Sequence, residues 1–409
     1  MTGIQMFRTN LRQLALLILA FLVASSSNKS FANTKTEPVI QQYKPAVLKL
    51  IFSVNKNNPD DSFLDTILIP VNGEPTAKRS AINVKTFARL LSTFYSQVAS
   101  LRLLNTNNSS APSRQLYNLL IGPIANEIRD SNINTLLISA DSGLQAVPFA
   151  ALHDGDNWFG NRYSFSLTPS LSLMPRDQRG AIQQENSVLA GASTFDGLAP
   201  LPMVEQEIGQ ISKIRAGNTY LNENFTRTVF DQLTEKSGVD LVHLSTHAEF
   251  LPGGPEKSKL FLGEGSLSIK EFSQIRLARE DSPFELFTLS ACRTALGDRE
   301  SELGLAGLAL QAGSKTAIGS LWYVDDLATT IYFIRFYRLL NRGIPKGEAM
   351  RQVRQEFSSN KIKLSEQAAI DPDGEILIDN LNKTQIRKLE QGLNHPFYWA
   401  APIMLGLPW

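Results

Sequence analysis

The chain has a single cysteine, Cys292, among its 409 residues. One thiol excludes an intrachain disulfide and a zinc site built on paired cysteines. A lone cysteine beside apolar residues is most often an inert core side chain. Only its position in the fold and a suitable partner would give Cys292 a chemical role.

A strong charge of either sign is also lacking, since the net charge is +1 and 19% of the residues are charged. No run of Lys and Arg with interleaved aromatics occurs, which argues against nucleic-acid or anionic-membrane binding. The motifs H-E-x-x-H, G-x-x-x-x-G-K-[ST], G-x-G-x-x-G and G-x-S-x-G are absent as well. We therefore predict no metal and no cofactor. Asp371–Glu375 (DPDGE) lacks the full ligand series of a calcium loop and is interpreted as a turn.

The apolar block near the N-terminus is too short for a comfortable membrane span. Leu14–Ala24 has 11 residues, whereas a transmembrane helix needs about 20. Arg8 and Arg12 precede the block, and small residues occupy the last and third-last positions of Ser30-Phe31-Ala32. This pattern predicts a secretory signal peptide over residues 1–32 and export to the periplasm or beyond. An uncleaved anchor or a buried helix is the alternative.

Residues 33–112 are predicted to form a small lead-in region. Apolar runs at Pro45–Val54 and Phe63–Val71, separated by polar residues, predict a β-hairpin. Helical spacing of apolar residues predicts a helix over Val84–Leu104, and another follows over Ser113–Arg129.

From Asn134 onward, short apolar runs alternate with amphipathic segments. This alternation predicts an α/β fold with a mostly parallel sheet covered by helices on both faces. His247 follows the predicted strand Leu241–Thr246, and Cys292 follows the predicted strand Leu286–Leu289. Because ligands of such sheets bind outside the carboxyl ends of the strands, adjacent strands would bring the two residues together. If the strands were not adjacent, the residues would lie far apart.

A reactive thiol requires a base, and the chain offers four histidines. His153 lies in a turn-like segment and is predicted to be solvated, while His395 precedes a proline and is expected to cap or pack. His243 lies inside a strand, where a hydrogen-bonded core histidine is the default. His247, at the exit of its strand, is the best candidate base.

The ordered motifs of the C-terminal part resemble a CHAT domain, a branch of the caspase-like cysteine peptidases that includes the separases. We assign residues 113–409 to this domain. The segments that carry the resemblance are Leu136–Gly155, Tyr163–Met174, Val242–Phe250, Leu286–Asp298, Glu302–Asp326 and His395–Gly406.

The resemblance implies a cysteine endopeptidase with His247 as general base and acid and Cys292 as nucleophile. It also implies an oxyanion hole formed by the backbone N–H groups of Cys292 and Ala248, where relatives often have glycine. The expected partner is a protein or peptide substrate, with a regulatory protein as a further expectation. A non-catalytic scaffold and a peptidase held latent are the alternatives.

The resemblance further assigns a peptide groove to Trp322, Asp325 and Asp326. A carboxylate there would select Lys or Arg at the cleaved position. The alternative role for Asp325 is to cap the helix predicted to begin near Leu327, which aspartate does well.

Overall fold

The computed structural model describes residues 43–141, 143–168, 187–235, 238–249, 258–268, 271, 283–290, 310, 314–323 and 325–409. The predicted signal peptide, Cys292 and nearly all of the helix predicted over 302–312 lie outside the described residues.

The lead-in region begins with three antiparallel strands: β1 (Pro45–Ser53), β2 (Asp61–Pro70) and β3 (Thr76–Asn83). The predicted hairpin is present as β1 and β2. Helix α1 (Val84–Val98) starts where the Asn83 side chain accepts a hydrogen bond from the Thr86 N–H. It ends at Val98 rather than Leu104, and Leu101 then adopts a left-handed backbone with φ of 54°.

The single helix predicted over Ser113–Arg129 is wrong in its continuity. The structure has α2 (Pro112–Leu120), a 3₁₀ turn (Gly122–Ile124) and α3 (Ala125–Asp130). Pro123 is the physical cause, because it has no N–H to donate and its ring clashes with the preceding helical turn.

The remaining strands are short. They are β4 (Thr135–Ala140), β5 (Ser164–Thr168), β6 (Ser187–Gly191), β7 (Gly217–Leu221), β8 (Leu241–Ser245), β9 (Ala248–Glu249), β10 (Lys259–Phe261), β11 (Ser266–Ser268), β12 (Leu286–Ser290), β13 (Thr316–Ser320), β14 (Lys363–Ser365), β15 (Ala368–Ile370), β16 (Ile376–Ile378) and β17 (Pro402–Gly406). The helices after α3 are α4 (Phe159–Arg162), α5 (Val204–Ile214), α6 (Arg227–Glu235), α7 (Asp326–Asn341), α8 (Lys346–Ser358), α9 (Lys383–Gln391) and α10 (Pro396–Trp399).

One sheet of eleven strands dominates the described part of the chain, in the order β3-β2-β1-β4-β5-β17-β13-β12-β8-β6-β7. Parallel pairing joins β1 to β4, β4 to β5, and each neighbouring pair from β13 through β12, β8 and β6 to β7. The strand β17 runs antiparallel to β13. The predicted mostly parallel α/β sheet flanked by helices is confirmed, and β1 extends it rather than forming a separate layer.

The strands at the centre of this sheet are buried along their whole length. β8, β12, β13 and β17 contain only buried residues, so their sequences do not alternate between buried apolar and exposed polar positions. None of the helices in the described ranges is both long enough and apolar enough to cross a membrane.

Candidate active site

The strands that lead to His247 and Cys292 are direct neighbours. β8 and β12 pair in parallel, with Ser245 opposite Ser290 at their carboxyl ends. The Thr246 N–H continues this contact by donating to the Ser290 carbonyl at 3.3 Å. In the sequence, His247 and Cys292 each come two residues after this last paired row. The adjacency that the sequence analysis required is therefore present, although Cys292 itself lies outside the described residues.

The ring of His247 is fixed by a loop that follows β6. Its Nε2 lies 2.8 Å from the carbonyl oxygen of Ala199. A carbonyl oxygen can only accept, so Nε2 carries the hydrogen and Nδ1 of the neutral ring is the acceptor. The Phe195 ring packs on the imidazole with 4.7 Å between the ring centroids. His247 is thus held in the tautomer that leaves Nδ1 able to accept a proton.

The loop that holds His247 is itself anchored at both ends. The Leu201 N–H donates to the Ser193 carbonyl at 2.8 Å and closes the loop. The Ser193 N–H donates to Oδ1 of Asn222 at 2.8 Å, and Nδ2 of Asn222 donates to Glu205 at 2.9 Å. At the far end, the Met203 N–H donates to the Asp326 carboxylate at 3.0 Å. Sequence analysis did not identify this loop, because its role depends on a backbone carbonyl.

The backbone of Ala248 suits an oxyanion contact. Ala248 lies opposite Leu260 in the β9–β10 ladder, and the Phe261 N–H donates to the His247 carbonyl at 3.0 Å. This pattern makes Ala248 and Leu260 a non-hydrogen-bonded pair, in which the Ala248 N–H points away from β10. Because the residue is in an extended strand, no glycine is needed there.

Trp322 is buried rather than open to a groove. Its Nε1 donates to the Phe397 carbonyl at 3.1 Å, and its ring makes a T-shaped contact with the Tyr95 ring, with 5.9 Å between the centroids. The Tyr95 hydroxyl donates to the Leu321 carbonyl at 2.5 Å, so helix α1 packs against the end of β13. The next residue, Tyr323, is 61% exposed and is the outward-facing aromatic side chain here.

Both aspartates after β13 have partners within the protein. Asp325 caps α7 by accepting from the Ala328 N–H at 3.0 Å, as the alternative interpretation predicted, and it also forms an ion pair with Lys388. Asp326 accepts from the Met203 N–H. Burial raises the pKa of Asp326 to about 7, with the nearby carboxylates of Glu207 and Asp325 adding to the effect.

His243 is a hydrogen-bonded core histidine, as predicted. Its Nε2 lies 2.8 Å from the Glu207 carboxylate, and its Nδ1 lies 3.1 Å from the Tyr337 hydroxyl. The Tyr337 hydroxyl donates to Thr288 on β12 at 3.1 Å. These buried groups connect the two strands that lead to His247 and Cys292.

The prediction for His153 is wrong, and that for His395 is confirmed. His153 is only 6% exposed because it packs against Trp158, and this burial lowers its pKa. His395 caps α10 by accepting from the Phe397 N–H at 3.0 Å.

The segment Asp371–Glu375 is the turn that the sequence analysis preferred. It joins β15 to β16, with the Asp371 carboxylate accepting from the N–H groups of Asp373 and Glu375. Arg335 forms ion pairs with Asp371 and Asp373. Across the described ranges, no cluster of three or more His, Cys, Asp or Glu side chains could hold a metal ion.

The chain belongs to the CHAT domain family, whose model matches residues 110–407. No curated protein matches it. Among solved structures it is similar to separase of Saccharomyces cerevisiae in complex with securin, at 12% identity over 90% of this chain, with a TM-score of 0.49. It spans 30% of the length of that separase chain. It is also similar to gingipain R, an Arg-specific cysteine proteinase, at 11% identity over 79% of this chain and 75% of the other, with a TM-score of 0.41. The complex of the pro- and mature domains of the Porphyromonas gingivalis protein has 9% identity over 79% of this chain and 77% of the other, with a TM-score of 0.41.

Proposed function

We propose that this CHAT protein is an exported cysteine endopeptidase that cleaves a protein substrate through His247 and Cys292. The observation that carries the proposal is the pairing of β8 with β12, which ends at Ser245 opposite Ser290. His247, the proposed base, comes two residues after Ser245. Cys292, the only thiol of the chain, comes two residues after Ser290. The hydrogen bond from His247 to Ala199 supports the assignment, because it leaves Nδ1 free to accept the thiol proton.

The proposed reaction starts with proton transfer from the Cys292 thiol to Nδ1 of His247. The thiolate attacks the peptide carbonyl carbon, and its oxygen becomes an oxyanion that the N–H groups of Ala248 and Cys292 stabilise. Collapse of this intermediate breaks the C–N bond, while the imidazolium returns its proton to the leaving amine. Water, deprotonated by His247, then hydrolyses the thioester, releases the acid product and restores the thiol.

The Ala199 carbonyl has a defined part in this cycle. The imidazolium formed in the first step carries a proton on each nitrogen, and the proton on Nε2 faces an oxygen that is already 2.8 Å away. This contact favours the charged ring without any rearrangement, which is how a preorganised dipole lowers a barrier. The Phe195 ring restricts rotation about the side chain, so that Nδ1 keeps its direction.

Selection of Lys or Arg by Asp325 and Asp326 remains a prediction. Both carboxylates already have partners, since Asp325 pairs with Lys388 and Asp326 accepts from the Met203 N–H. A carboxylate that already accepts a hydrogen bond at the N-terminus of a helix is poorly placed to bind a substrate cation. An Asp325→Ala, Asp326→Ala double variant with unchanged preference at the cleaved position would end this hypothesis.

The proposal is tested by covalent labelling of the purified protein with a peptidyl chloromethyl ketone. We expect rapid modification at Cys292, slowed at least about a hundredfold in His247→Ala, since general-base assistance contributes about 10² to 10⁴. His243→Ala is not a suitable control because that residue is buried in the core. His395→Ala is suitable, since the ring contacts the Phe397 N–H in α10 and the Arg102 carbonyl rather than the loop that holds His247. If Cys292 reacts no faster than it does in the denatured protein, the peptidase proposal is wrong and the result favours the non-catalytic scaffold.

Export is tested separately. The full chain and a chain lacking residues 2–32 are expressed in a Gram-negative host, and the periplasmic fraction is examined by mass spectrometry. The proposal requires the full chain to appear there with its new N-terminus near Asn33, and the shortened chain to remain inside the cell. Retention of residues 1–32 on the exported chain would favour an anchor.

A further inference from the structure

A small unit of the fold, residues 363–391, lies between α8 and α10 in the chain. It consists of β14, β15, β16 and α9, and we call it the α9 unit. Strand β16 contacts both α5 and α7. The Asp379 carbonyl accepts from Nε2 of Gln206 on α5 at 3.4 Å, and the Ile376 carbonyl accepts from Arg338 on α7. The unit is therefore docked on α5, which follows the loop that holds His247, and on α7, whose first residue bonds to that loop.

Two side chains of α9 reach the place where this loop meets α7. Lys388 forms an ion pair with Asp325, the N-cap of α7. Nε2 of Gln385 lies 2.8 Å from Sδ of Met203, the last residue of the loop. The Met203 N–H donates to the Asp326 carboxylate at 3.0 Å and anchors the loop. Helix α9 thus contacts the end of the loop and the carboxylate next to its anchor.

Negative charge is concentrated at this anchor. Burial raises the pKa of Asp326 most, and the charges of Glu207 and Asp325 raise it further. The ammonium group of Lys388 opposes these effects and favours the ionised carboxylate. A hydrogen bond to an ionised acceptor is about twice as strong as one between neutral groups. Lys388 therefore strengthens the bond that Asp326 accepts from the Met203 N–H.

The anchor is close in the chain to the contact that fixes His247. Met203 follows Ala199 by four residues. Between them, the Leu201 N–H donates to the Ser193 carbonyl at 2.8 Å, so the intervening chain has little slack. A shift of Met203 should therefore move the Ala199 carbonyl, whose oxygen lies 2.8 Å from Nε2 of His247.

We propose that Lys388 is a positioning residue for His247. Its charge offsets the negative charge around Asp326, and the loop that Asp326 anchors then holds the Ala199 carbonyl against the imidazole. The inference rests on the proposed peptidase function and adds the α9 unit to the candidate site. The competing explanation is that the Lys388–Asp325 pair only stabilises the start of α7, which predicts no effect on the imidazole.

The position of the imidazole is tested by NMR, which requires no catalysis. The protein with Cys292→Ala, in which the ring cannot take the thiol proton, is labelled with ¹³C and ¹⁵N in its four histidines. The His247 signals are identified by their loss in His247→Gln. We expect a single Nε2–H tautomer, because Nε2 donates to a carbonyl. Lys388→Met, which removes the charge, should broaden these signals or populate the second tautomer. Unchanged His247 signals would overturn the proposal.

Three variants control for the substitution itself. Lys388→Arg keeps the charge and should give the signals of the unsubstituted protein. Lys383→Met removes the same charge from the exposed first position of α9 and should have no effect. A response in Lys383→Met equal to that in Lys388→Met would show a nonspecific effect of charge and refute the assignment. The Lys388 side chain is 31% exposed, so the fold should accept methionine there, and Lys388→Gln is the replacement if it does not.

Labelling of Cys292 separates positioning from binding. With the peptidyl chloromethyl ketone at about pH 7.5, Lys388→Met should lower the limiting rate of modification at least about threefold, since misalignment slows the chemical step. The reagent concentration that gives half of this rate should not change, because a positioning residue acts after binding. A higher half-maximal concentration with an unchanged limiting rate would place Lys388 in peptide binding and contradict the proposal.

A second substitution tests the charge mechanism. Asp325→Asn keeps an oxygen to cap α7 and removes a charge that raises the pKa of Asp326. In the Lys388→Met background it should therefore restore most of the labelling rate. An ion pair that served stability alone would give no recovery, because Lys388→Met has already broken it. A double variant as slow as Lys388→Met would thus refute the charge mechanism.

The outcomes separate this proposal from the peptidase function. If Cys292 proves unreactive while the His247 signals respond to Lys388→Met, the peptidase proposal fails and the positioning of His247 by Lys388 stands. If Cys292 reacts in a His247-dependent manner and neither readout responds to Lys388→Met, the peptidase proposal stands and the role of Lys388 is wrong.

Discussion

The His247 Nε2 atom and the Ala199 carbonyl oxygen lie 2.8 Å apart, although the two residues are 48 positions apart in the chain. This contact connects the carboxyl end of β8 to the loop after β6, its neighbour in the sheet. It sets the tautomer of the imidazole and so determines which nitrogen can act as a base. The candidate site therefore depends on a loop as well as on its two reactive residues.

The packing of Phe195 on His247 gives the first prediction. Phe195→Ala removes the ring that lies 4.7 Å from the imidazole, so His247 can rotate away from its productive direction. We expect the labelling rate of Cys292 to fall about tenfold, because small losses of alignment are costly in catalysis. Stopped labelling followed by intact mass spectrometry measures this rate.

Leu198→Ala in the same loop provides the control, because this side chain is already 38% exposed. Its labelling rate should match that of the wild type. A decrease as large as that in Phe195→Ala would mean that the loop responds to any truncation, and the specific role of the Phe195 ring would be refuted.

The Glu207–His243 pair gives a second prediction. Both side chains are almost completely buried, and Glu207 also accepts from the Thr330 hydroxyl at 3.0 Å. Glu207→Leu should lower the free energy of unfolding by about 3 kcal/mol, because it leaves buried donors without an acceptor. The Glu207→Leu, His243→Leu double variant should cost clearly less than the sum of the two single variants. Urea unfolding of the four proteins measures the coupling, and strict additivity would show that the pair does not interact.

Much of the fold follows from patterns that the sequence displays directly. β8 and β12 are short apolar runs that end in polar residues, so their type and the positions of His247 and Cys292 could be predicted. Their adjacency could not, because strand order depends on packing between segments 45 residues apart. The register that places Ser245 opposite Ser290 is a property of the folded sheet.

Errors in the sequence analysis have local physical causes. The turn-like segment around His153 suggested that its ring was solvated, but the ring packs on Trp158. The Ala199 carbonyl could not be identified at all, since every residue has one. Asp325 was correctly identified as a candidate cap, because the preference of aspartate for that position is a local property.

The left-handed backbone of Leu101 gives a third prediction. Leu101→Gly should raise the free energy of unfolding by about 0.5 kcal/mol, since glycine adopts a positive φ without the steric cost of a Cβ. Leu103 is not among the residues with positive φ, so Leu103→Gly should be neutral or destabilising. Chemical denaturation of both variants tests the difference. A lower stability for Leu101→Gly would show that the leucine side chain contributes more than the strain costs.

Asp325 gives a fourth prediction, which separates its cap from its ion pair. Asp325→Ala removes the acceptor for the Ala328 N–H and should cost about 1 kcal/mol. Asp325→Asn keeps the cap but loses the charge that pairs with Lys388, so it should cost less. Thermal unfolding of the two variants provides the measurement. Equal losses would assign the stabilisation to the ion pair instead.

Asp326 gives a fifth prediction, for the dependence of stability on pH. Burial raises its pKa from 3.8 to about 7, so between these values the folded state binds a proton that the unfolded state releases. The free energy of unfolding should therefore decrease as the pH rises from about 4 to about 7, by up to about 1.4 kcal/mol per pH unit from this group. Above pH 7 both states are ionised and the loss is complete.

Asp326→Asn should remove this contribution, because an amide does not titrate and its Oδ1 can still accept from the Met203 N–H. The difference in unfolding free energy between variant and wild type should shift in favour of the variant as the pH rises from 5 to 8. Glu264→Gln is the control, because this exposed carboxylate lies in the turn between β10 and β11 and should leave the profile unchanged. Met203 ends the loop that carries Ala199, so we expect ionisation of Asp326 to change the position of His247 as well. The rate of Cys292 labelling should then depend less on pH near 7 in Asp326→Asn than in the wild type. Parallel profiles for the two proteins would show that Asp326 does not titrate in this range.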